Sequence, residues 1–583
     1  MGDMKNLLSA VVLSMLVLFL YQTFYLGPMD ELAREQEQLD QEAEVDQPLD
    51  LGGETITDPD PLSREILGEA PPEAAPPPAV SVPVIIDAAR VRGSISTRGA
   101  TLDNLVLKDY YDRVGEGALN INLLRPAPEN NAYFARFGWR ANASVELPGE
   151  NTVWNARGGT LTTDNPVELY WENSQGVTFR QFFSVDENFL FTIRQVVENN
   201  SGARINIAPT GDIWRIDTPD TLGFFILHEG PVGAFNDQVE DDYDYDDLAD
   251  DGPLEYAGSN NGWLGFTGKN WLTALIPDQG KSFTGNYTYS KMRGRDVYRA
   301  RFLVEGGEVV AIGGRSEYTS HFFAGAKEVD LIDAYSEAYN IPKFDWAIDW
   351  GWFSFLTQPI YFTLDFFFKA TGNYGVAILI LTIIIKIFFF PLANKSYRAM
   401  SKMKKLQPKM KQIKERYADD KTRQQQETMA LYKKEKVNPA AGCLPILLQI
   451  PVFFALYKTL FVTIDSRHQP FFGWIHDLSA PDPATLITGF GLIDWSYPGW
   501  ISFLAIGIWP ILMGLTMWLQ MKLNPQSPDP IQAKIFMFMP ILFTFILAPF
   551  PVALVIYWTW NNLLSITQQW IIMRREGVSI KDG

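Results

Sequence analysis

Lys386 stands within Ile383-Ile384-Ile385-Lys386-Ile387-Phe388-Phe389-Phe390, an ammonium set in otherwise pure hydrocarbon. A charge in such surroundings needs water, a counter-charge or a route to the interface. Thr382 precedes it by one helical turn on the same face. Other apolar stretches contribute Gln449, Thr516, Gln520, Asn561, Asn562, Gln568 and Gln569. Side chains of these types could line a wet cavity that attracts an anion by charge and satisfies a polar chain by hydrogen bonding. Two plainer readings compete with it. Lys386 lies about 12 Å of helical rise from Asn394, within reach of a snorkelling side chain. The amides could equally serve as hydrogen-bonding glue between helices.

Covalent chemistry is not indicated. Cys443 is the only cysteine, and His228, His321, His468 and His476 are scattered, so neither an intrachain disulfide nor a cysteine/histidine zinc site is expected. No membrane-embedded acid pair, serine with a base, or phosphate-cradling glycine loop is visible. Glu240-Asp241-Asp242-Tyr243-Asp244-Tyr245-Asp246-Asp247 is acidic enough to chelate calcium, yet it lacks the spacing of an EF-hand and reads as a solvated loop. The chain is therefore expected not to be an enzyme and to need no metal or cofactor.

The elements that must hold these residues are legible from hydropathy and charge. A mean hydropathy of −0.05 beside 47% hydrophobic residues implies apolar stretches diluted by a very polar region. Residues 28 to 349 hold 25 basic and 54 acidic side chains, against 24 and 14 elsewhere. An acidic region of this size argues against direct nucleic-acid binding. Apolar runs that read as membrane spans extend approximately from Leu7 to Leu26, Tyr374 to Asn394, Gly442 to Ile464, Trp500 to Met521, Ala533 to Ala548 and Val552 to Met573. The first reads as a retained anchor (1–27), because its apolar region exceeds that of a cleaved signal and no small-x-small site follows. An acidic, Pro-rich linker (28–83) comes next.

From 84 to 345 the apolar period is two, as in Tyr298, Ala300, Phe302 and Val304, in Phe189, Phe191 and Ile193, and in Ile205 and Ile207. This predicts one large antiparallel β-sandwich. Residues 346–371, aromatic yet interrupted by Gln358, Pro359 and Asp365, suit an amphipathic helix lying in the interface. A membrane core follows over 372–575, with a short tail over 576–583.

Lys395 to Lys436 carries 14 basic and 5 acidic residues, and Lys522, Lys534 and Arg574-Arg575 flank other spans, which places these segments in the cytoplasm. Six crossings then put both termini in the cytoplasm and the acidic sandwich outside it. Met400, Met403, Leu406, Met410, Ile413 and Tyr417 form one apolar stripe, and Asp420 is placed to cap a second helix, so 395–437 reads as a helical hairpin. Its basic residues, among them Lys402, Lys405, Lys409, Lys411 and Arg416, face either anionic phospholipid or a protein or ribosome partner.

The run Lys433-Lys434-Glu435-Lys436-Val437-Asn438-Pro439-Ala440-Ala441-Gly442-Cys443-Leu444-Pro445-Ile446-Leu447-Leu448-Gln449-Ile450-Pro451 resembles the YidC family of membrane-protein insertases, as does Trp474-Ile475-His476-Asp477-Leu478-Ser479-Ala480-Pro481-Asp482-Pro483. The likeness covers 349 to about 575 closely and the amino-terminal domain more loosely, through Asn270-Trp271-Leu272-Thr273-Ala274-Leu275-Ile276-Pro277.

The resemblance implies an α-helical core of five transmembrane helices plus an anchor, with a periplasmic super-sandwich of sugar-mutarotase type, all in the inner membrane. It implies a hydrophilic groove, open to cytoplasm and lipid, that passes polar segments of nascent membrane proteins and releases apolar ones into the bilayer, alone or with the Sec translocon. Lys386 matches the groove cation, where Arg is commoner in the family. Thr382 and Gln449 match polar groove positions, Tyr557 and Trp558 match an aromatic pair in which Tyr is more usual than Trp, and Asn562, one of the polar residues of the apolar spans, is counted with the groove. The basic hairpin with Lys402, Lys405, Lys409, Lys411 and Arg416 would be the cytoplasmic element that receives clients, and ribosome contact through the short tail is expected to be weak. The rival reading is a small-solute transporter with Lys386 as counter-ion.

Overall fold

The computed structural model describes residues 82–577 except 128, 142–144, 224–226, 419, 439–443, 494–498 and 525–529. The anchor, nearly all of the linker, Cys443 and the tail beyond 577 therefore lie outside the described residues.

Alternating apolar residues produce strands whose inward side chains vanish from solvent. Tyr298, Ala300, Phe302 and Val304 are buried while Arg299, Arg301 and Leu303 are partly open. Two antiparallel sheets result. One runs, in spatial order, Val84–Asp87, Val91–Ser96, Thr101–Tyr111, Tyr133–Ala141, Ile205–Ile216, Arg295–Val304, Phe283–Met292 and Leu254–Ser259, with Glu308–Val310 and Asn120–Leu124 as side branches. The other runs Gln238–Glu240, Gly230–Phe235, Gly262–Thr267, Trp271–Ile276, Gly314–Ala326, Leu190–Asn199, Val177–Val185, Val167–Glu172 and Asn155–Arg157. The antiparallel sandwich read from the sequence is thus present.

Its core is aromatic, with Trp263, Phe179, Phe183, Phe191, Phe266 and Tyr287 fully buried. Close packing leaves no room for side chains at some positions: a Cβ on Gly325 would lie 2.2 Å from the Phe189 ring. The acidic segment contains a short helix, α1 (Tyr245–Asp251), capped by Asp244 and anchored by buried Tyr245 and Leu248. It is more ordered than the solvated loop expected there.

The helices that follow the sheets are α2 (Val329–Ala338), α3 (Ser354–Thr371), α4 (Tyr374–Phe388), α5 (Phe390–Arg416), α6 (Lys421–Lys434), α7 (Leu444–Val462), α8 (Ile508–Leu523), α9 (Pro530–Leu547) and α10 (Val552–Arg575). Helix α3 buries Thr357, Ile360, Tyr361 and Leu364 and exposes Phe355, Phe362 and Phe366 on the other side. Several contacts seat the sandwich on α7. Lys458 pairs with Asp349 at 2.5 Å, Asp349 also accepts the His228 backbone N–H at 3.0 Å, and the Lys269 ammonium lies 4.2 Å over the Phe461 ring. The Thr459 hydroxyl donates to the Thr357 carbonyl at 3.2 Å, joining α7 to α3.

The run from Tyr374 to Asn394, expected as one span, is broken into two helices. Among the described residues no single helix is both long and apolar enough to cross a membrane, and one bent pair, α4 with α5, passes by length and composition. The pair is bent by 69°. The cause is local: Pro391 has no N–H to donate and its ring clashes with the carbonyl four residues back, so α4 stops at Phe388 and α5 begins anew. The run from Trp500 likewise opens as a 3-10 turn (Gly499–Leu504) before α8 starts at Ile508. Helix α10 is long enough at 24 residues, but Asn561, Asn562, Gln568, Gln569, Arg574 and Arg575 make it too polar.

Candidate functional site

The break after α4 changes the setting of Lys386. Instead of lying mid-span, it occupies the last turn of α4, where a cation is favoured by the helix dipole. Ile383, Ile384, Ile387 and Phe388 are exposed on the outer side. The lysine turns inward: its ammonium donates to the Ser565 hydroxyl of α10 at 2.7 Å, and that hydroxyl in turn donates to the Asn561 carbonyl at 2.8 Å. Among the described residues no carboxylate lies within 4.0 Å of Lys386. It does not snorkel along α4 toward Asn394, which belongs to α5.

The other expected groove residues divide into separate pairs arranged around α10. Gln449 of α7 donates its amide to the Tyr557 hydroxyl. Asn562 donates to the Thr516 hydroxyl of α8 at 3.2 Å, and Gln569 donates to the Asn524 side chain at 3.1 Å. Thr382 is 1% exposed and donates its proton to the Ile378 carbonyl at 2.7 Å, so that donor is used inside α4. Trp558 is not beside Lys386. Its ring packs edge-on against Phe453, 4.7 Å between centroids, and lies 5.7 Å from Phe543.

Helix α10 is thus the hub, because its polar residues meet α4 through Ser565, α7 through Tyr557, and α8 and its C-cap through Asn562 and Gln569. The Gln449–Tyr557 and Asn562–Thr516 contacts join neutral groups, which is what glue between helices requires, and Gln569 uses its amide N–H in the same way while its Oε1 stays unpartnered. Lys386 differs, since a hydroxyl neutralises none of its charge. Ser565 escaped the sequence reading, although it lies one turn beyond Asn561 on the same face.

The hairpin is built as its stripe implies. Met400, Met403 and Leu406 are buried with Tyr397, Tyr432, Val437 and Ile572 of α10, and Met410 packs against them. The Asp420 carboxylate accepts the Arg423 N–H at 2.9 Å, capping α6. Lys402, Lys405, Lys409, Lys411 and Arg416 are all exposed. Lys409 pairs with Glu435 at 2.8 Å, and Lys405 donates to the Glu576 carbonyl at the end of α10. The latter contact joins a cation to the negative end of that helix.

Comparison with known proteins places both halves. The family described as 60Kd inner membrane protein matches residues 366–578, and that described as YidC periplasmic domain matches 84–363. Membrane protein insertase YidC of Methylobacterium sp. (strain 4-46) is 49% identical over 506 residues, covering 85% of this chain and 80% of the relative. That of Brucella suis biovar 1 (strain 1330) is 44% identical over 599 residues, covering 100% and 97%. Among solved structures, an active YidC insertase with its first transmembrane domain resolved aligns over 84% of this chain and 93% of that one, with a TM-score of 0.36 and 17% identity. A putative aldose 1-epimerase from Escherichia coli K12 aligns over 42% and 99%, with a TM-score of 0.30 and 9% identity.

Proposed function

The chain belongs to the YidC family, whose relatives are inner-membrane proteins with a periplasmic domain, and from that premise we propose that it is a membrane protein insertase working without covalent chemistry, metal or cofactor. Polar segments of nascent membrane proteins enter beside α4 and α10, where Lys386 attracts their carboxylates. Apolar segments leave across the exposed faces of α4 and its neighbours into lipid. The membrane core comprises the five apolar segments from Tyr374 to Met573, and the anchor at 7–26 adds a sixth crossing, with both termini in the cytoplasm. Insertion becomes feasible because polar groups exchange water for hydrogen-bonding partners and travel less far through hydrocarbon.

The observation that carries this reading is the partner of Lys386: a hydroxyl at 2.7 Å and no counter-ion among the described residues. A cation committed to structure is normally paired when buried. One held by a neutral group keeps its charge available. Lysine lacks the planar fork with which arginine grips a carboxylate, so capture is electrostatic and readily reversed. Contact with the Sec translocon falls to the sandwich face, anionic phospholipids and the ribosome to the exposed cations of the hairpin, with the ribosome held weakly.

The test is reconstitution of the purified chain in liposomes with a short client bearing an acidic tail, comparing wild type with Lys386→Arg and Lys386→Ala at matched expression and folding. Retained insertion by Arg and its loss in Ala is the expected result. Equal insertion by all three removes Lys386 from the mechanism. Failure of wild type to insert, together with solute flux in the absence of client, favours the transporter.

A further inference from the structure

Helix α8 is short for a membrane span. Its 16 residues rise about 24 Å, against roughly 30 Å of hydrocarbon. Lys522 in its last turn marks the cytoplasmic end, so the shortfall lies on the sandwich side. The connection that precedes α8 there is apolar for a loop: between Ala484 and Ile508, Asp494 is the only charged residue. Its described limbs, 484–493 and 499–507, expose Leu486, Phe490, Leu492, Ile493, Phe503 and Leu504, with Leu492 at 91%. The exposed stripe of α8, through Ile511, Leu515 and Trp518, takes up directly after them.

Both limbs are pinned at one neck. Thr485 pairs with Gly507 in an antiparallel bridge, Leu486 donates its N–H to the Ile506 carbonyl at 2.9 Å, and Ile508 donates to that of Ala484 at 3.2 Å. The buried Asp482 carboxylate accepts the Ala484 and Trp509 N–H groups at 3.0 and 2.8 Å and the Trp474 indole N–H at 2.9 Å. The approach is so close that a Cβ on Gly507 would lie 2.4 Å from that of Asp482. Beyond the neck the first limb satisfies its own backbone. Phe490 and Ile493 donate to the Thr485 and Thr488 carbonyls at 2.7 and 2.9 Å, and Gly489 and Gly491 to those of Leu486 and Thr488 at 3.1 Å each. The Thr488 hydroxyl donates to the Thr485 carbonyl at 3.0 Å. Irregular chain persists beside hydrocarbon only when its donors are met from within, a condition water does not impose. The level agrees: the connection leaves α7 at Val462, next to Phe461 under the Lys269 ammonium of the sandwich, and its Ala480 carbonyl accepts the Val552 N–H at the start of α10 at 2.8 Å. Trp474, exposed with its N–H on Asp482, is an interfacial residue type at that level.

We propose that the two limbs of this connection are seated at the headgroup–acyl boundary of the periplasmic leaflet, where lipid chains cover their exposed side chains and the limbs complete the span that α8 leaves short. Lipid is the occupant because the apolar surface continues into the exposed stripe of α8 and carries no charged side chain among its described residues. The inference goes beyond the insertase reading and rests on its topology, with the connection between α7 and α8 on the periplasmic side.

The experiment uses the full chain carrying Cys443→Ser, reconstituted in vesicles of phosphatidylethanolamine and phosphatidylglycerol. Single cysteines are placed by Leu492→Cys on the first limb, Leu515→Cys on α8 and Glu317→Cys on the sandwich, and each is labelled with an environment-sensitive fluorophore. The label at 492 should be quenched by lipid spin-labelled near its headgroup and spared by iodide present on both sides. That at 515 should be quenched by lipid spin-labelled deep in its chain, and that at 317 by iodide alone. Quenching at 492 by iodide and not by lipid overturns the proposal, as does shielding from both, which would mean that protein covers the limb. If 515 also escapes lipid quenching, the membrane placement of α8 is refuted. If 515 is quenched by lipid and 492 is not, only the present assignment falls. Adding Leu492→Asp to an Ile493→Cys variant should expose the label at 493 to iodide, because a carboxylate resists the apolar boundary, while Leu492→Phe should keep it shielded. An equal iodide response in both counts against a lipid-seated limb.

Discussion

Asp212 of the sandwich and Lys386 of the helical region meet their neighbours in opposite ways. In the sandwich, Asp212 is 8% exposed and accepts from Arg299 at 2.6 Å and Arg301 at 2.5 Å, while Arg180 bridges Glu168 and Glu198 across neighbouring strands. Those charges are paired within the fold, although the sandwich also buries Lys327, whose ammonium donates to the Thr267 hydroxyl at 3.0 Å. In the helical region Lys386 has a serine and Lys404 has no partner. The difference separates charges paired across neighbouring strands from charges that have no counter-ion among the described residues. It also warns against reading every buried ion as a functional one.

The contrast can be tested most severely at Asp212. Asp212→Ala leaves Arg299 and Arg301 unpaired beneath the surface, so the sandwich should lose about 3–5 kcal/mol, read as a lower thermal midpoint of the full chain in detergent. Insertion at a temperature where the variant remains folded should be unaltered. A fall in insertion with the midpoint unchanged would mean that the sandwich, too, reserves charge for clients.

Removing the charge at Lys386 should do the converse. Lys386→Ala is expected to cut insertion of an acidic-tailed client by about tenfold or more, with a smaller fall in the midpoint than Asp212→Ala produces, since it removes one hydrogen bond from a part-exposed lysine and leaves no buried charge unpaired. Ser565→Ala should have a smaller effect on rate, because it removes the tether and keeps the charge. A larger loss from Ser565→Ala than from Lys386→Ala would reverse the assignment.

Asp103 sharpens the comparison through pH. Burial raises its carboxyl to about 6, with Glu129 reinforcing the shift and Arg136 opposing it. Since the folded value exceeds the unfolded one, the native sandwich binds the extra proton between about pH 4 and 6. The stability linked to that proton is complete below this window and lost as pH rises through 6. Asp103→Asn should flatten that slope and raise the midpoint at neutral pH, and a slope identical to wild type would show that Asp103 is not the group responsible.

The smallest effect belongs to the hairpin surface. Lys409→Ala breaks an exposed pair with Glu435 and should cost less than about 1 kcal/mol, a loss further reduced by salt. A larger, salt-insensitive loss in thermal unfolding would mean that the hairpin's exposed charges are structural, erasing its distinction from the sandwich.

How much of this was open to sequence reading follows from the range of each signal. The alternation at Tyr298, Ala300, Phe302 and Val304 and the stripe through Met400, Met403 and Leu406 are local patterns, because strand and helix geometry alone decides which residues share a face. The cap at Asp420 is equally local, needing a carboxylate and an N–H three residues on. Lys386 was conspicuous because its immediate neighbours are hydrocarbon.

Partnership was not legible in the same way. That Gln449 meets Tyr557, that Asn562 meets Thr516, and that Trp558 joins an aromatic cluster away from Lys386 depend on how helices distant in sequence pack. The bend at Phe389 could be traced to Pro391 once seen, but the apolar run continues through both, so hydropathy alone drew one straight span. Residue types and their periods settled the two architectures and the unusual lysine, since those depend on bonds and turns a few residues apart. Which charges are neutralised and which are left open was settled only by folding, because a counter-ion is defined by distance through space, and spacing along the chain does not record it.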